Sequence, residues 1–412
     1  MSYTKGMKDE FDTLLKKPMD RKGFLKTVGI GAATIVGVAA IAKTLDVMTR
    51  HDKDKLPASV VMTEEVKKAA ATIKPQNKIV RTICYFTDSP SDETIRRLEA
   101  LASMLESKGY TIQTKRICSK DSDIKKLADQ VSDKSISLNV GTISFDSATR
   151  QLPEFYKVDN VSFNVDLTNT VLDHRHVDVI FRTIREKPSH TFNYSYVFNN
   201  PSSSPFFPAA HYEREGFAIG LEPTDLAEDA GSIEAWLLAM RACWHEIDEL
   251  FTGEPDFLGI DGSIAPFGTG KGSLINFVKR LGYSFERSTT TDMYTKITHT
   301  LKTKNPRPVG LNGLMFPCLE DFDLAAEYEK GQFSLERSLF LSLHSGVGID
   351  TYPIGIDEKP ERVLEILQVT QALSNKYKKP LAVRFASDGV AKIGDRTNHQ
   401  SQYLTDCIVR AL

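Results

Sequence analysis

This chain has no Cys-x-x-Cys pair, no excess of charge of one sign and no low-complexity tract. Its five cysteines (Cys84, Cys118, Cys243, Cys318, Cys407) are too scattered for a zinc finger or a disulfide scaffold, so they read as buried, unreactive thiols. A formal net charge of −2 over 412 residues excludes the broad basic surface that nucleic acid demands. No His-x-x-x-His or His-x-x-Glu-His spacing occurs, which removes the usual zinc-hydrolase signature. Nucleotide motifs also fail. In Gly268-Thr269-Gly270-Lys271-Gly272-Ser273, Ala265 and Gly272 stand where a P-loop needs glycine and Ser or Thr, leaving at most a simple anion loop ahead of a helix. Gly29-Ile30-Gly31 follows no strand and lacks the third glycine of a dinucleotide fingerprint.

What is present is an ordinary globular composition, 41% hydrophobic and 26% charged, in a chain longer than one usual core. The first fifty residues differ from the rest. Asp20-Arg21-Lys22-Gly23-Phe24-Leu25-Lys26 precedes a Gly/Ala-rich apolar run over 28–42, short of the ~20 residues that span a bilayer but suited to a signal h-region. Ala40-Ile41-Ala42 offers a small-x-small cleavage site, and the basic stretch resembles a twin-arginine export signal with Lys22 in place of the second arginine. The expectation is an exported or membrane-tethered protein with membrane contact through residues 28–42. The alternative is an amphipathic extension on a cytoplasmic protein.

From residue 78 onward strand and helix patterns alternate. Apolar β-branched runs at 79–86, 111–118, 136–140, 161–167, 192–198, 217–221, 258–261, 347–350 and 381–385 read as strands. Helical periodicity fills 92–108, 121–132, 173–185, 232–251, 272–281 and 360–377, with a short helix at 64–71. That alternation predicts an α/β fold: a single large barrel-like or wound sheet of mostly parallel strands with helices outside, plus an N-terminal extension. The divisions are 1–50 as the signal-like or tether segment, 51–77 as a linker and 78–412 as the α/β domain.

Two strands end alike, in Gly259-Ile260-Asp261 and Gly348-Ile349-Asp350. A carboxylate at a strand exit points to the rim where α/β proteins hold ligands. Asp261 and Asp350 are therefore candidate acid/base groups, or holders of a shared divalent cation; helix capping is the competing role. His211 follows a loop rich in Ser, Asn and Pro and is a candidate proton carrier. Ser204, Ser263 and Tyr352 are candidate substrate-orienting groups, and Arg384 is a candidate clamp for a carboxylate.

These segments carry a resemblance. Ser203-Ser204-Pro205-Phe206-Phe207-Pro208-Ala209-Ala210-His211, Gly259 to Pro266 and Gly346 to Asp350, with Arg81-Thr82-Ile83 and Asn139-Val140-Gly141, make the chain similar to the uncharacterised family catalogued as domain of unknown function 711. The resemblance implies a scaffold like the barrel of glycyl-radical enzymes such as pyruvate formate-lyase, and it implies no reaction. No glycyl radical is expected, because the tail Val390-Ala391-Lys392-Ile393-Gly394-Asp395-Arg396 lacks the radical motif and Cys318 stands alone. The sequence thus favours an enzyme for a small polar or carboxylated metabolite. A non-catalytic, exported or tethered ligand-binding protein is the alternative. The cofactor is unknown, and both a divalent cation and a homo-oligomer stay open.

Overall fold

A computed structural model describes residues 62–412. The expected export segment, cleavage site and membrane contact therefore lie outside the described residues. Ten strands run in chain order: β1 (Ile79–Thr87), β2 (Thr111–Ile112), β3 (Lys115–Ser119), β4 (Ile136–Ile143), β5 (Val161–Asp166), β6 (Tyr194–Phe198), β7 (Gly216–Leu221), β8 (Phe257–Asp261), β9 (Gly348–Pro353) and β10 (Leu381–Ala386). They form one sheet in the order β8-β7-β1-β3-β4-β5-β6-β10-β9, with β2 beside β1.

The sheet closes on itself. β1, β3, β4, β5 and β6 are mutually parallel, and antiparallel seams join this half to β7 on one side and β10 on the other. In the second half, β7 and β8 are parallel, as are β9 and β10. The irregular segment 307–318 bridges the remaining gap. Ile260 pairs with Pro308, Leu314 pairs with both Ile264 and Gly346, and Pro317 pairs with Asp350, all in parallel sense. Among the described residues this segment covers the two end strands β8 and β9, which reduces the aggregation hazard of unpaired strand groups. The two halves point in opposite directions. One mouth of the ring therefore gathers the starts of the first-half strands together with the ends of β7 to β10.

Residue size sorts the two faces of the ring with period two. Leu138, Val140, Phe163, Val165, Tyr194 and Tyr196 turn outward into one continuous apolar core shared with the helices. The alternate positions are small or polar: Ser137, Asn139 and Gly141 on β4, Ser162 and Asn164 on β5, Ser195 on β6, Ala382 and Arg384 on β10. A ring lined this way keeps free volume inside. The 199–211 loop enters that volume, carrying the buried residues Ser203, Ser204, Phe206, Ala209 and Ala210. Side chains from the ring hold it by its backbone. Asn164 Nδ2 donates to Pro208 O at 2.9 Å and Ala210 O at 2.8 Å, Asn139 Nδ2 donates to Pro208 O at 3.2 Å, and Thr82 Oγ1 donates to Pro205 O at 3.4 Å. Loop carbonyls that would be stranded in a dry interior thus find donors, each pair being worth about 1 kcal/mol net.

The helices pack outside and follow the expected pattern where their caps are explicit. Asp92–Glu106 starts at a Ser91 capping box, and Gly109 (φ +82°) lets Tyr110 N donate to Leu105 O at 3.2 Å. Ile233–Leu250, the helix expected at 232–251, buries Trp236, Met240, Cys243, Trp244 and Ile247 along one face. Glu64–Ala70 packs on that helix through the fully buried Val66. The strand expected at 111–118 is divided into β2 and β3 at Gln113 and Thr114, which keep the register with β1: Gln113 N donates to Val80 O at 2.9 Å and Ile83 N donates to Thr114 O at 3.1 Å. Five helices carry no counterpart in the sequence reading: Phe145–Phe155, Phe285–Ser288, Met293–Lys304, Phe322–Glu329 and Leu335–His344.

Candidate functional site

At the mouth where β9 and β10 end, the interior opens into a cavity of about 1040 Å³. Its floor is apolar, made by Phe206 from the inserted loop with Ala265, Leu311, Met315 and Val347. Its walls carry three arginines, Arg81, Arg116 and Arg384, against two deep carboxylates, Glu320 and Asp350.

Arg384 is the hub. Its Nε donates to Asp350 Oδ1 at 2.7 Å, its Nη2 to Glu320 Oε1 at 2.6 Å and its Nη1 to Phe192 O at 3.2 Å. Burial works against the guanidinium charge, but Asp350 and Glu320 outweigh it and hold Arg384 above its usual range. Glu320 also approaches Arg81 at 3.6 Å. Burial raises the Glu320 carboxyl above the ordinary glutamate range; Arg384, Arg81 and Arg116 oppose that rise, and Asp350 adds to it. Glu320 is therefore the carboxyl of this cluster that desolvation pushes toward the protonated form.

Arg116 is different. Its Nε donates to Thr114 Oγ1 at 3.1 Å and its Nη1 to Pro205 O at 3.3 Å, and its guanidinium lies 4.9 Å from the Phe207 ring centre. Among the described residues no carboxylate forms an ion pair with it. Burial pushes its guanidinium down to about 10, and the neighbouring Arg81 pushes the same way. The cavity therefore carries a surplus positive charge on its wall. A small anion entering there would gain a partner that the fold itself does not supply.

Aromatic rings arch over the mouth between two of the arginines. Arg81 lies 4.7 Å from the Phe267 ring centre, Phe267 6.0 Å from Tyr403, Tyr403 5.8 Å from Phe192 with nearly parallel planes, and Phe192 4.7 Å from Arg384. Tyr403 belongs to the C-terminal segment, whose residues 398–401 also line the opening.

The residues singled out from sequence fall into separate places. Asp350 and Arg384 meet in the cavity. Asp261 is fully buried and outside the cavity lining, accepting five hydrogen bonds: from Ser204 Oγ (2.8 Å), Ser263 Oγ (2.6 Å), Ser263 N (3.0 Å), Leu311 N (2.9 Å) and Asn312 N (3.1 Å). It pins the inserted loop to the closing segment, with Ser204 and Ser263 as its immediate partners. Asp261 and Asp350 thus sit in different networks and share no common partner. Among the described residues no group of three or more His, Cys, Asp or Glu side chains is arranged to hold a metal ion. His211 lies toward the opposite mouth, near Asp166 at the end of β5; burial lowers its imidazole pKa, and Asp166 and Glu213 oppose that. Tyr352 is also away from the cavity. A register shift next to Thr351 (φ +39°) inserts an extra residue, so Tyr352 turns outward against Tyr328, 5.3 Å between ring centres.

The Gly268–Ser273 loop is closed as an anion site by its own chain. Lys271 pairs with Asp225 at 3.4 Å, while Ser273 and Asp321 cap the helix Leu274–Arg280. Sequence reasoning missed Arg81, Arg116 and Glu320. Arg81 and Arg116 sit inside strand runs, where alternation with apolar neighbours was the available signal. Glu320 follows an irregular segment and had none.

Comparison with known families agrees with the sequence resemblance over part of its length. The family described as Uncharacterised ACR (DUF711) matches residues 146–400, which leaves Arg81-Thr82-Ile83 and Asn139-Val140-Gly141 outside the matched span. No curated protein matches the chain.

Proposed function

The chain belongs to the DUF711 family, and we propose that its interior cavity binds a small polar or carboxylated metabolite and transforms it by proton transfer. One observation supports this above all: in a cavity of about 1040 Å³, Arg116 has no carboxylate partner among the described residues while Arg384 links two carboxyl groups. Arg116 takes the anionic group of the substrate, and Asp350 and Glu320 supply base and acid. Arg384 couples them, so that a proton gained by one carboxyl alters the field at the other. Of the residues expected from sequence, Asp350 and Arg384 keep chemical roles. Asp261, Ser204 and Ser263 position the loop that floors the cavity, and His211 and Tyr352 take no part in this reading. The closed ring of two parallel halves also supports assigning the scaffold to the glycyl-radical-enzyme kind, without its radical chemistry.

The test is turnover. Purified protein is incubated with a panel of small carboxylic and hydroxy acids, with product detected by mass spectrometry, alongside Asp350→Asn and Glu320→Gln. Loss of turnover in both variants with the fold retained supports the proposal; undiminished turnover in both contradicts it. A binding-only role is favoured by the fact that both carboxylates already contact Arg384 at 2.6–2.7 Å. Recovery of an unaltered ligand after prolonged incubation with the protein would select it.

A further inference from the structure

Resting on the reading of this cavity as a small-molecule site, we infer its ligand class: a polyhydroxylated organic anion, with a carboxylate or phosphate at Arg116 and adjacent hydroxyls along one wall. Three inward-facing serines step across three neighbouring strands beside Arg116. Ser137 on β4 pairs with Arg116, Ser162 on β5 pairs with Asn139, and Ser195 on β6 pairs with Asn164. All three line the cavity.

Ser195 carries most weight. It is 2% exposed, and its Oγ finds no hydrogen-bond partner among the described residues. A buried hydroxyl left unpaired is costly unless something enters to pair with it. Two more cavity atoms share this condition, Asn160 Oδ1 and His399 Nε2. Ser162 Oγ already donates to Leu138 O at 3.0 Å and accepts from Asn139 Nδ2 at 2.8 Å, so it has one remaining acceptor lone pair for a ligand hydroxyl.

The rest of the cavity fits the same molecule. A sugar-like skeleton has hydroxyl edges and C–H faces, and here a hydroxylated wall meets a floor of Phe206, Met315 and Val347. A plain aliphatic acid would satisfy the floor and Arg116 while leaving Ser195 and Asn160 unpaired. A neutral polyol would satisfy the serines and leave Arg116 without a counter-charge.

Isothermal titration of the full chain tests this with five probes: D-gluconate and D-glucose 6-phosphate, the hydroxyl-free hexanoate and butyl phosphate, and neutral D-glucitol. At least one hydroxylated anion should bind tenfold or more tightly than its hydroxyl-free counterpart and than glucitol, and the better of the two identifies the head group. Ser195→Ala should shrink that preference threefold or more without changing hexanoate or butyl phosphate affinity. Arg116→Gln, which removes an unpaired charge and should fold, should abolish preference over glucitol. Equal binding of hydroxylated and hydroxyl-free anions overturns the inference and leaves the anion cavity standing. Glucitol binding as tightly as the anions overturns the charged half. No response to any anion overturns both this inference and the proposed function.

Discussion

Gly259-Ile260-Asp261 and Gly348-Ile349-Asp350 are the same three residues in two strands of the same half-ring, yet their aspartates serve opposite ends. Two positions behave alike. Each glycine has positive φ and meets a neighbouring backbone where a side chain would stand: Arg307 O lies 2.4 Å from the Cβ site of Gly259, and Ala382 O lies 2.0 Å from that of Gly348. Both isoleucines are fully buried in the outer core. The aspartates part company. Asp261 is saturated by serine hydroxyls and backbone N–H groups and locks the inserted loop in place. Asp350 meets a guanidinium in an open cavity, its side chain 17% exposed. Local sequence sets backbone geometry and facing; the partner that arrives from elsewhere sets the role.

The shared half breaks first. Gly348→Ala and Gly259→Ala should each abolish soluble, folded protein, a loss of roughly 4 kcal/mol or more from backbone collision plus a disfavoured φ. Circular dichroism and expression level check this, and a well-folded Gly348→Ala protein would contradict the close approach. Next in size is the contrast itself. Asp261→Ala leaves five donors without their acceptor and should lower unfolding free energy by about 3–5 kcal/mol in urea. Asp350→Asn, whose arginine keeps Glu320, should cost about 1–2 kcal/mol. Equal losses would erase the distinction.

A pH effect comes third. Glu222, at the end of β7, is 1% exposed, and burial raises its carboxyl to about 8, with Arg81 opposing the rise. Because its folded value lies above its unfolded one, it favours the folded state fully below about 4.5, and that contribution declines as pH climbs to about 8. Glu222→Gln should therefore raise stability relative to the parent at pH 9, by on the order of 2 kcal/mol, with the gain vanishing at pH 5. Thermal melts at the two pH values decide it; an equal shift at both would contradict a buried, charge-averse carboxyl.

Much of the ring was legible in advance, because strands such as Val161–Asp166 and helices such as Pro360–Tyr377 carry clear periods and explicit ends. The inner face was written there too. Ser137, Asn139, Ser162 and Asn164 alternate with Leu138, Val140, Phe163 and Val165, a pattern of one packed and one polar face. Other features depended on contacts between distant segments. Nothing near Asp261 announces that Leu311 N and Asn312 N will fill it, and nothing near Tyr352 announces the extra residue that turns it outward. Phe145–Phe155 was hidden by Pro153 near its end. Glu320 follows an irregular segment that pairs through isolated bridges, without the run that marks a strand.

Charge gives the most direct test of the division between the two aspartates. Malonate is titrated calorimetrically into the parent protein and into Asp350→Asn. Removing a negative charge from the cavity wall should tighten malonate binding threefold to tenfold, since a charge about 6 Å away at an effective dielectric of about 40 contributes about 1.4 kcal/mol. Unchanged or weaker affinity in Asp350→Asn would mean that an anion held at Arg116 does not share its cavity with the Asp350 carboxylate, and the account of the cavity would fail.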